Sequence, residues 1–180
     1  MIGVYLPDEE ILLTGDCIQG EVYPNLYTLR GTPYRDPMQW VATLDWIRHD
    51  LRPQQIVPHH GHPMTSPEEV SDVLTAYRDA IQFTHDQTVR YMNQGLRPDE
   101  IVQRVQMPAH LAEHPWLGEF YGTLKHCIPA IYVGKVGWFA VLLILGISAY
   151  AAFAQRPAIA TDVGTYLLAN ATSRGIKPTV

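Results

Sequence analysis

Apolar and polar positions divide the 180-residue chain into three stretches with different periods. In the first, to about residue 63, short apolar runs alternate with turn residues. Ile2-Gly3-Val4-Tyr5 and Ile11-Leu12-Leu13 read as strands, with Pro7-Asp8-Glu9-Glu10 as the turn between them. Asp36 before Pro37 predicts an N-cap with proline at the first helical position. Trp40, Val41, Leu44 and Ile47 then recur at helical spacing, and the helix must end before Pro53. Ile56-Val57 reads as the next strand. Strand, helix, strand with polar chemistry at the strand ends is the pattern of layered α/β folds.

From residue 66 to about 134 the period is helical. Ser66, Pro67 and Glu69 combine an N-cap, an N1 proline and the acidic residue of a capping box. Val70, Val73, Leu74, Tyr77, Ile81 and Thr84 follow, and the pattern runs to Asn93 with Gly95 as its stop. Pro98 and Pro108 each open a short helix. A fourth helix is expected from Gly118 to Tyr132, with a kink at Pro129. Helices joined by short loops suggest a bundle.

The last stretch differs from both. Val136 to Ala154 carries no charge and is long enough to span a hydrocarbon layer about 30 Å thick. Ala152-Phe153-Ala154 also fits the small-residue pattern of a signal-peptidase site. Three readings stay open: a buried core helix, a membrane anchor, and a fused or mis-joined reading frame. The tail to Val180 offers only Asn170-Ala171-Thr172, a glycosylation sequon by pattern. The expected divisions are therefore 1–65, 66–135, 136–155 and 156–180.

Composition narrows the function. Hydrophobic residues make up 47% and charged residues 17%, which argues against disorder and for one or two domains. The net charge of -5 and the lack of a long basic run exclude nucleic acid as an expected partner. Cys17 and Cys127 form no CxxC pair and no disulfide framework. Met1 to Glu10 holds three acidic residues and does not read as a signal peptide. The compartment is not given by the sequence: cytoplasmic, periplasmic and secreted locations all fit.

Two polar groups close apolar runs. Gly15-Asp16 follows Leu12-Leu13-Thr14, and Pro58-His59-His60-Gly61-His62-Pro63 follows Ile56-Val57. An aspartate at a strand end can bridge two cations, and a histidine at the next strand end supplies a neutral imidazole nitrogen. One crossover helix fits between them. Asp16 also fits an ordinary turn, and a single histidine is commonly structural, but three histidines in four positions between prolines are unusual. Asn25 and Arg30 offer a hydrogen-bond donor and a planar fork suited to a tetrahedral oxyanion. The same two residues fit a surface loop with an ion pair. His85, Asp86 and His126 lie in helical segments and are read as structural. Trp116, Phe120 and Tyr121 are read as core or dimer contacts.

Taken in order, these motifs resemble a known family. Asn25-Leu26-Tyr27-Thr28-Leu29-Arg30-Gly31 followed by Arg35-Asp36 resembles the sulfate-site segment of metallo-β-lactamase-fold alkyl sulfatases. His59-His60-Gly61 resembles their late metal-ligand segment. Tyr77-Arg78-Asp79, His85-Asp86-Gln87-Thr88 and Asn93-Gln94-Gly95 resemble the start of their helical dimerisation domain. Tyr121-Gly122-Thr123, His126, Tyr132 and Gly137-Trp138-Phe139 resemble its end. The resemblance covers about residues 1 to 139.

It implies an α/β fragment of a metallo-β-lactamase fold and an all-α helical dimerisation domain; the apolar run beyond it, read from composition, adds an apolar helix near the C-terminus. Asp16 would be the metal-bridging carboxylate, where alkyl sulfatases usually have glutamate. His60 would be the late ligand, because the wider superfamily's ligand directly precedes glycine, with His59 as the alternative. Asn25 and Arg30 would hold the sulfate group of an alkyl sulfate ester. Two zinc ions and an activated water would cleave it, and the helical domain would form a homodimer. Apart from the resemblance, the anchor reading of the apolar run would add a membrane contact through residues 136–154.

Some features depart from the family. Its H-x-H-x-D-H cluster and a further acidic ligand are missing, Pro129 stands where arginine is usual, and the chain diverges after Phe139. The expectation is a truncated piece, inactive by itself. Other expectations kept open are a non-catalytic helical dimerisation module and another hydrolase of the same fold, such as a thioesterase.

Overall fold

A computed structural model describes residues 2–27 and 35–154. Arg30 and the tail from residue 155, sequon included, lie outside the described residues. Residues Met1–Lys135 form one compact unit and Val136–Val180 a second. The first unit holds both expected segments, 1–65 and 66–135, on a shared core.

That core begins with a three-stranded sheet. β1 (Val4–Leu6) pairs antiparallel with β2 (Ile11–Gly15), with Tyr5 opposite Leu12. The chain then passes through α1 (Pro37–Trp46) before β3 (Gln55–Pro58) pairs parallel with β2, Leu12 opposite Ile56. A parallel partner requires such a crossover, since no tight turn can make one. Strand alternation puts Leu12 and Ile56 on the buried face. Val4, Leu13 and Val57 are 53%, 38% and 38% exposed, so the apolar character of these strands exceeds what the described chain covers.

The helices start where their caps predict. Asp36 accepts hydrogen bonds from the backbone N–H groups of Met38 and Gln39 at 2.9 and 3.2 Å. Trp40, Val41, Leu44 and Ile47 are buried, and the Trp40 indole donates to the Cys17 carbonyl at 3.0 Å. α1 then widens into one π-helical turn, Ile47–Leu51, closed by Arg52 in the left-handed region at φ 48°. α2 (Pro67–Met92) opens on Ser66, whose side chain accepts from Glu69 N at 3.2 Å, and Gly95 follows its end at φ 82°. Its buried face runs from Val70 through Tyr77 and Ile81 to Thr88. α3 (Pro98–Arg104) and α4 (Ala109–Ala112) are short.

The fourth expected helix differs. α5 spans Leu124–Ala154: it starts six residues later than expected, passes through Pro129, and merges with the apolar run. The late start has a physical cause. The Gly118 carbonyl accepts the Tyr23 N–H at 2.7 Å, and the Gly122 N–H donates to the Tyr23 carbonyl at 3.1 Å. Backbone groups paired with Tyr23 cannot also serve a helix. A side chain at Gly122 would press into the Tyr23 and Pro24 carbonyl oxygens, which explains glycine there. Within the second unit, Leu142 to Leu145, Ile147 and Tyr150 are exposed. Leu124–Ala152 is long and apolar enough to cross a membrane by length and composition. Trp116 is buried in the core, and Phe120 and Tyr121 are exposed.

Two outcomes follow from this packing. Gly122→Ala should destabilise the first unit by about 1–3 kcal/mol, read as a lowered melting temperature; an unchanged melt would contradict the close approach. Burial pushes the Cys17 and Cys127 thiols up from 9.0 to about 11. Folding thus favours their protonated forms, so their contribution to stability is complete below pH 9 and is lost as pH rises toward 11. Thiol labelling should accordingly be slow in the native chain and fast in denaturant.

Candidate metal centre

Parallel pairing of β2 with β3 sets Gly15 opposite Pro58, with a register irregularity between Leu13 and Gly15. Residues just beyond both strand ends therefore meet. The His59 N–H donates to the Gly15 carbonyl at 3.3 Å, which joins the two turns by backbone. Asp16 Oδ1 lies 3.2 Å from His59 Nδ1 and 3.7 Å from His60 Nε2. The two imidazoles stack with centroids 4.6 Å apart. One ligand atom from each of the three residues lies within 4.8 Å of the others. All three are at least partly open to solvent. Asp16 and His60 are thus brought together as expected, and His59 stands with them. A carboxylate and two imidazoles are a donor set that could hold a zinc-like cation.

A second pair holds the histidine turn in place, and sequence reasoning missed it. Glu21 accepts from the His62 backbone N–H at 3.2 Å and contacts its ring Nδ1. Burial pushes the Glu21 carboxyl up, but hydrogen bonding and charge from His62 outweigh it, leaving the group below its ordinary value. Gly61 sits at φ 86°, and a Cβ there would meet the Glu21 carboxylate and Gly20 Cα. Behind this turn, the Tyr77 hydroxyl reaches the Gly20 and Val22 carbonyls from α2. The signal for Glu21 is weak: it lies five residues after Asp16, on no periodic pattern.

Asn25 is buried. Its backbone N–H donates to Gln19 Oε1 at 2.8 Å, its Oδ1 accepts from Tyr27 N at 3.1 Å, and its carbonyl accepts from Arg35 Nη1 at 2.7 Å. Residues 23–27 are further gripped from the start of α5. Leu26 N donates to Cys127 Sγ at 3.4 Å, and the Tyr27 ring lies 5.1 Å from that of His126. His85 pairs with Asp86 at 2.8 Å and stays apart from the cluster, as expected of a structural residue.

A sequence profile for alkyl sulfatase dimerisation matches residues 97–141. The linear primary-alkylsulfatase of Pseudomonas sp. (strain ATCC 19151) is 50% identical over 139 residues, 77% of this chain and 26% of that protein. Over these residues the chain belongs to the alkyl sulfatase family. The alkyl/aryl-sulfatase BDS1 of Saccharomyces cerevisiae (strain ATCC 204508 / S288c) is 31% identical over 138 residues, 76% of this chain and 21% of that protein. A solved double mutant of the sec-alkyl sulfatase PisA1 superimposes with a TM-score of 0.71 at 28% identity, covering 75% of this chain and 22% of that one. The stereoselective inverting sec-alkylsulfatase Pisa1 from Pseudomonas sp. gives a TM-score of 0.67 at 28% identity, covering 73% of this chain and 21% of that one. The chain spans about a quarter of the length of these alkyl sulfatases. The dimerisation match starts at α3 and ends within α5, later at both ends than the expected 66–135.

Tyr77→Phe should cost about 1–3 kcal/mol, because it leaves two loop carbonyls without their shared donor. Hydrogen exchange would register the effect as faster exchange across residues 20–22. Unchanged exchange there would contradict the bracing role of α2.

Proposed function

We propose that the chain is the C-terminal part of a zinc-dependent alkyl sulfatase built on a metallo-β-lactamase fold. The supporting observation is the meeting of Asp16 with His59 and His60 at two parallel strand ends, in a chain half identical to a linear primary-alkylsulfatase over 139 residues. In this reading Asp16 is the bridging carboxylate and His60 the late ligand of the second metal. Asn25 and Arg30 hold the sulfate group of an alkyl sulfate ester. Two bound zinc ions would supply Lewis acidity and an activated water. The remaining ligands come from a part of the catalytic domain outside these 180 residues. The uncovered apolar sheet face at Val4, Leu13 and Val57 supports this, since a complete layered domain buries both faces of such a sheet. The helical region mediates a homodimer. The divisions 1–65, 66–135, 136–155 and 156–180 then correspond to catalytic fragment, dimerisation domain, apolar segment and tail.

The Asn25 environment links the two activities. Its segment is held by backbone bonds to Gly118 and Gly122 and by Cys127, so the dimerisation region positions a substrate-binding residue. A second reading, a non-catalytic dimerisation module tethered to a membrane, draws on the exposed apolar half of α5.

A hybrid enzyme separates the two. Residues 1–139 of this chain replace the matching quarter of the Pseudomonas linear primary-alkylsulfatase, and sulfate release from a linear alkyl sulfate is measured. The sulfatase reading predicts an active hybrid in which Arg30→Ala lowers kcat/KM by about 10²-fold or more. A folded, dimeric but inactive hybrid would favour the module. The isolated chain should be a dimer by light scattering and should release no sulfate.

A further inference from the structure

We propose that residues 136–154 cross the hydrocarbon layer of a lipid bilayer as a single helix and hold this chain at a membrane. The proposal goes beyond the sulfatase reading and does not depend on it.

The two parts of α5 differ in kind. In the first, Cys127, Ile128 and Ile131 are buried in the first unit, and Lys125 and Lys135 carry charge. From Val136 to Ala154 the helix carries no charged side chain. The dimerisation match ends at residue 141, and the apolar run continues past it. At 1.5 Å of rise per residue the run is roughly 28 Å long, against about 30 Å for a hydrocarbon core.

Its faces decide the kind of partner. Each helical residue turns the next by about 100°, so Val141 to Ile147 pass more than once around the axis. Val141, Leu142, Leu143, Ile144, Leu145 and Ile147 are all exposed within the second unit. A groove or a partner helix covers one stripe and leaves the other faces in water. A helix lying along a membrane surface needs a polar face, and this run has none. Lipid surrounds a spanning helix on every side.

The ends and the small residues agree with this. Lys135 and Arg156 bracket the run, and Trp138 and Tyr150 stand near its two ends in the sequence. Cationic and aromatic residues take such positions where a helix meets lipid headgroups. A Cβ built at Gly137 or Gly146 meets nothing within 4 Å among the described residues, so no packing there requires glycine. Glycine is more frequent in membrane helices than in soluble ones.

Flotation of the full 180-residue chain with phosphatidylcholine vesicles tests the proposal. Neutral lipid offers a chain of net charge -5 no electrostatic attraction, so flotation reports insertion. We expect the chain to need detergent in solution, to float with the vesicles, and to stay with them through high salt and an alkaline wash. Protease treatment should leave a protected peptide containing residues 136–154. Leu143→Arg together with Leu145→Arg should lower the floating fraction by at least about tenfold, because charge at the centre of a span is costly. Leu143→Ala together with Leu145→Ala should float as the wild type does, and a melt of the first unit checks that both variants fold. A chain that is soluble without detergent and stays out of lipid would overturn the proposal, whether its own residues or a second copy cover the run. Equal flotation of the wild type and the double arginine variant would overturn it too, since another surface would then bind lipid. The hybrid enzyme carries residues 1–139 alone, so neither result bears on the sulfatase reading.

Discussion

The parallel pairing of β2 with β3 is the constraint on which the site depends. Asp16 and His60 are far apart in sequence, and this pairing sets their turns side by side. The pairing in turn requires α1, because parallel neighbours must be joined by a crossover. α1 is fixed by the Asp36 cap at one end and by the Trp40 indole bond to Cys17 on its buried face. The Trp40 bond ends at the residue after Asp16, so the crossover helix also anchors the aspartate's turn. Sheet, helix and metal candidates therefore form one mechanical unit.

The helical region does more than pack against that unit. Tyr77 donates to the loop that carries Glu21, and Tyr23 shares a hydrogen bond with Thr84 one turn or more further along α2. The turn before α5 then pairs by backbone with Tyr23 on the way to Asn25. Each of these contacts reaches a loop of the α/β part. In the sulfatase reading, dimerisation and substrate binding share a scaffold, and loosening α5's first turn would disturb Asn25 before it disturbed the sheet.

Much of this was legible locally. Asp36, Ser66, Pro98 and Gly95 mark element ends through hydrogen bonds and backbone angles that each residue type dictates by itself, and the structure places them so. The meeting of Asp16 with His60 was legible too, because strand, helix, strand leaves few ways to connect. What was not legible depends on distant partners. Gly118 was expected to open a helix, yet its carbonyl is taken by Tyr23. Glu21 gave no periodic signal, since its partner His62 is brought to it by tertiary structure. His59 was read only as the alternative to His60, whereas the structure sets both rings beside Asp16. The apolar run could be read as core, anchor or fusion because composition is the same for all three.

Strand pairing brings Asp16 to the His59-His60 turn, and the proposed function makes that meeting a metal site. Anomalous diffraction at the zinc edge, from crystals of this chain grown with zinc, tests it most directly. The proposed reading predicts a peak within bonding distance of an Asp16 carboxylate oxygen and of a ring nitrogen of His60 or His59. A peak elsewhere, with Asp16 and these histidines turned apart, would contradict it.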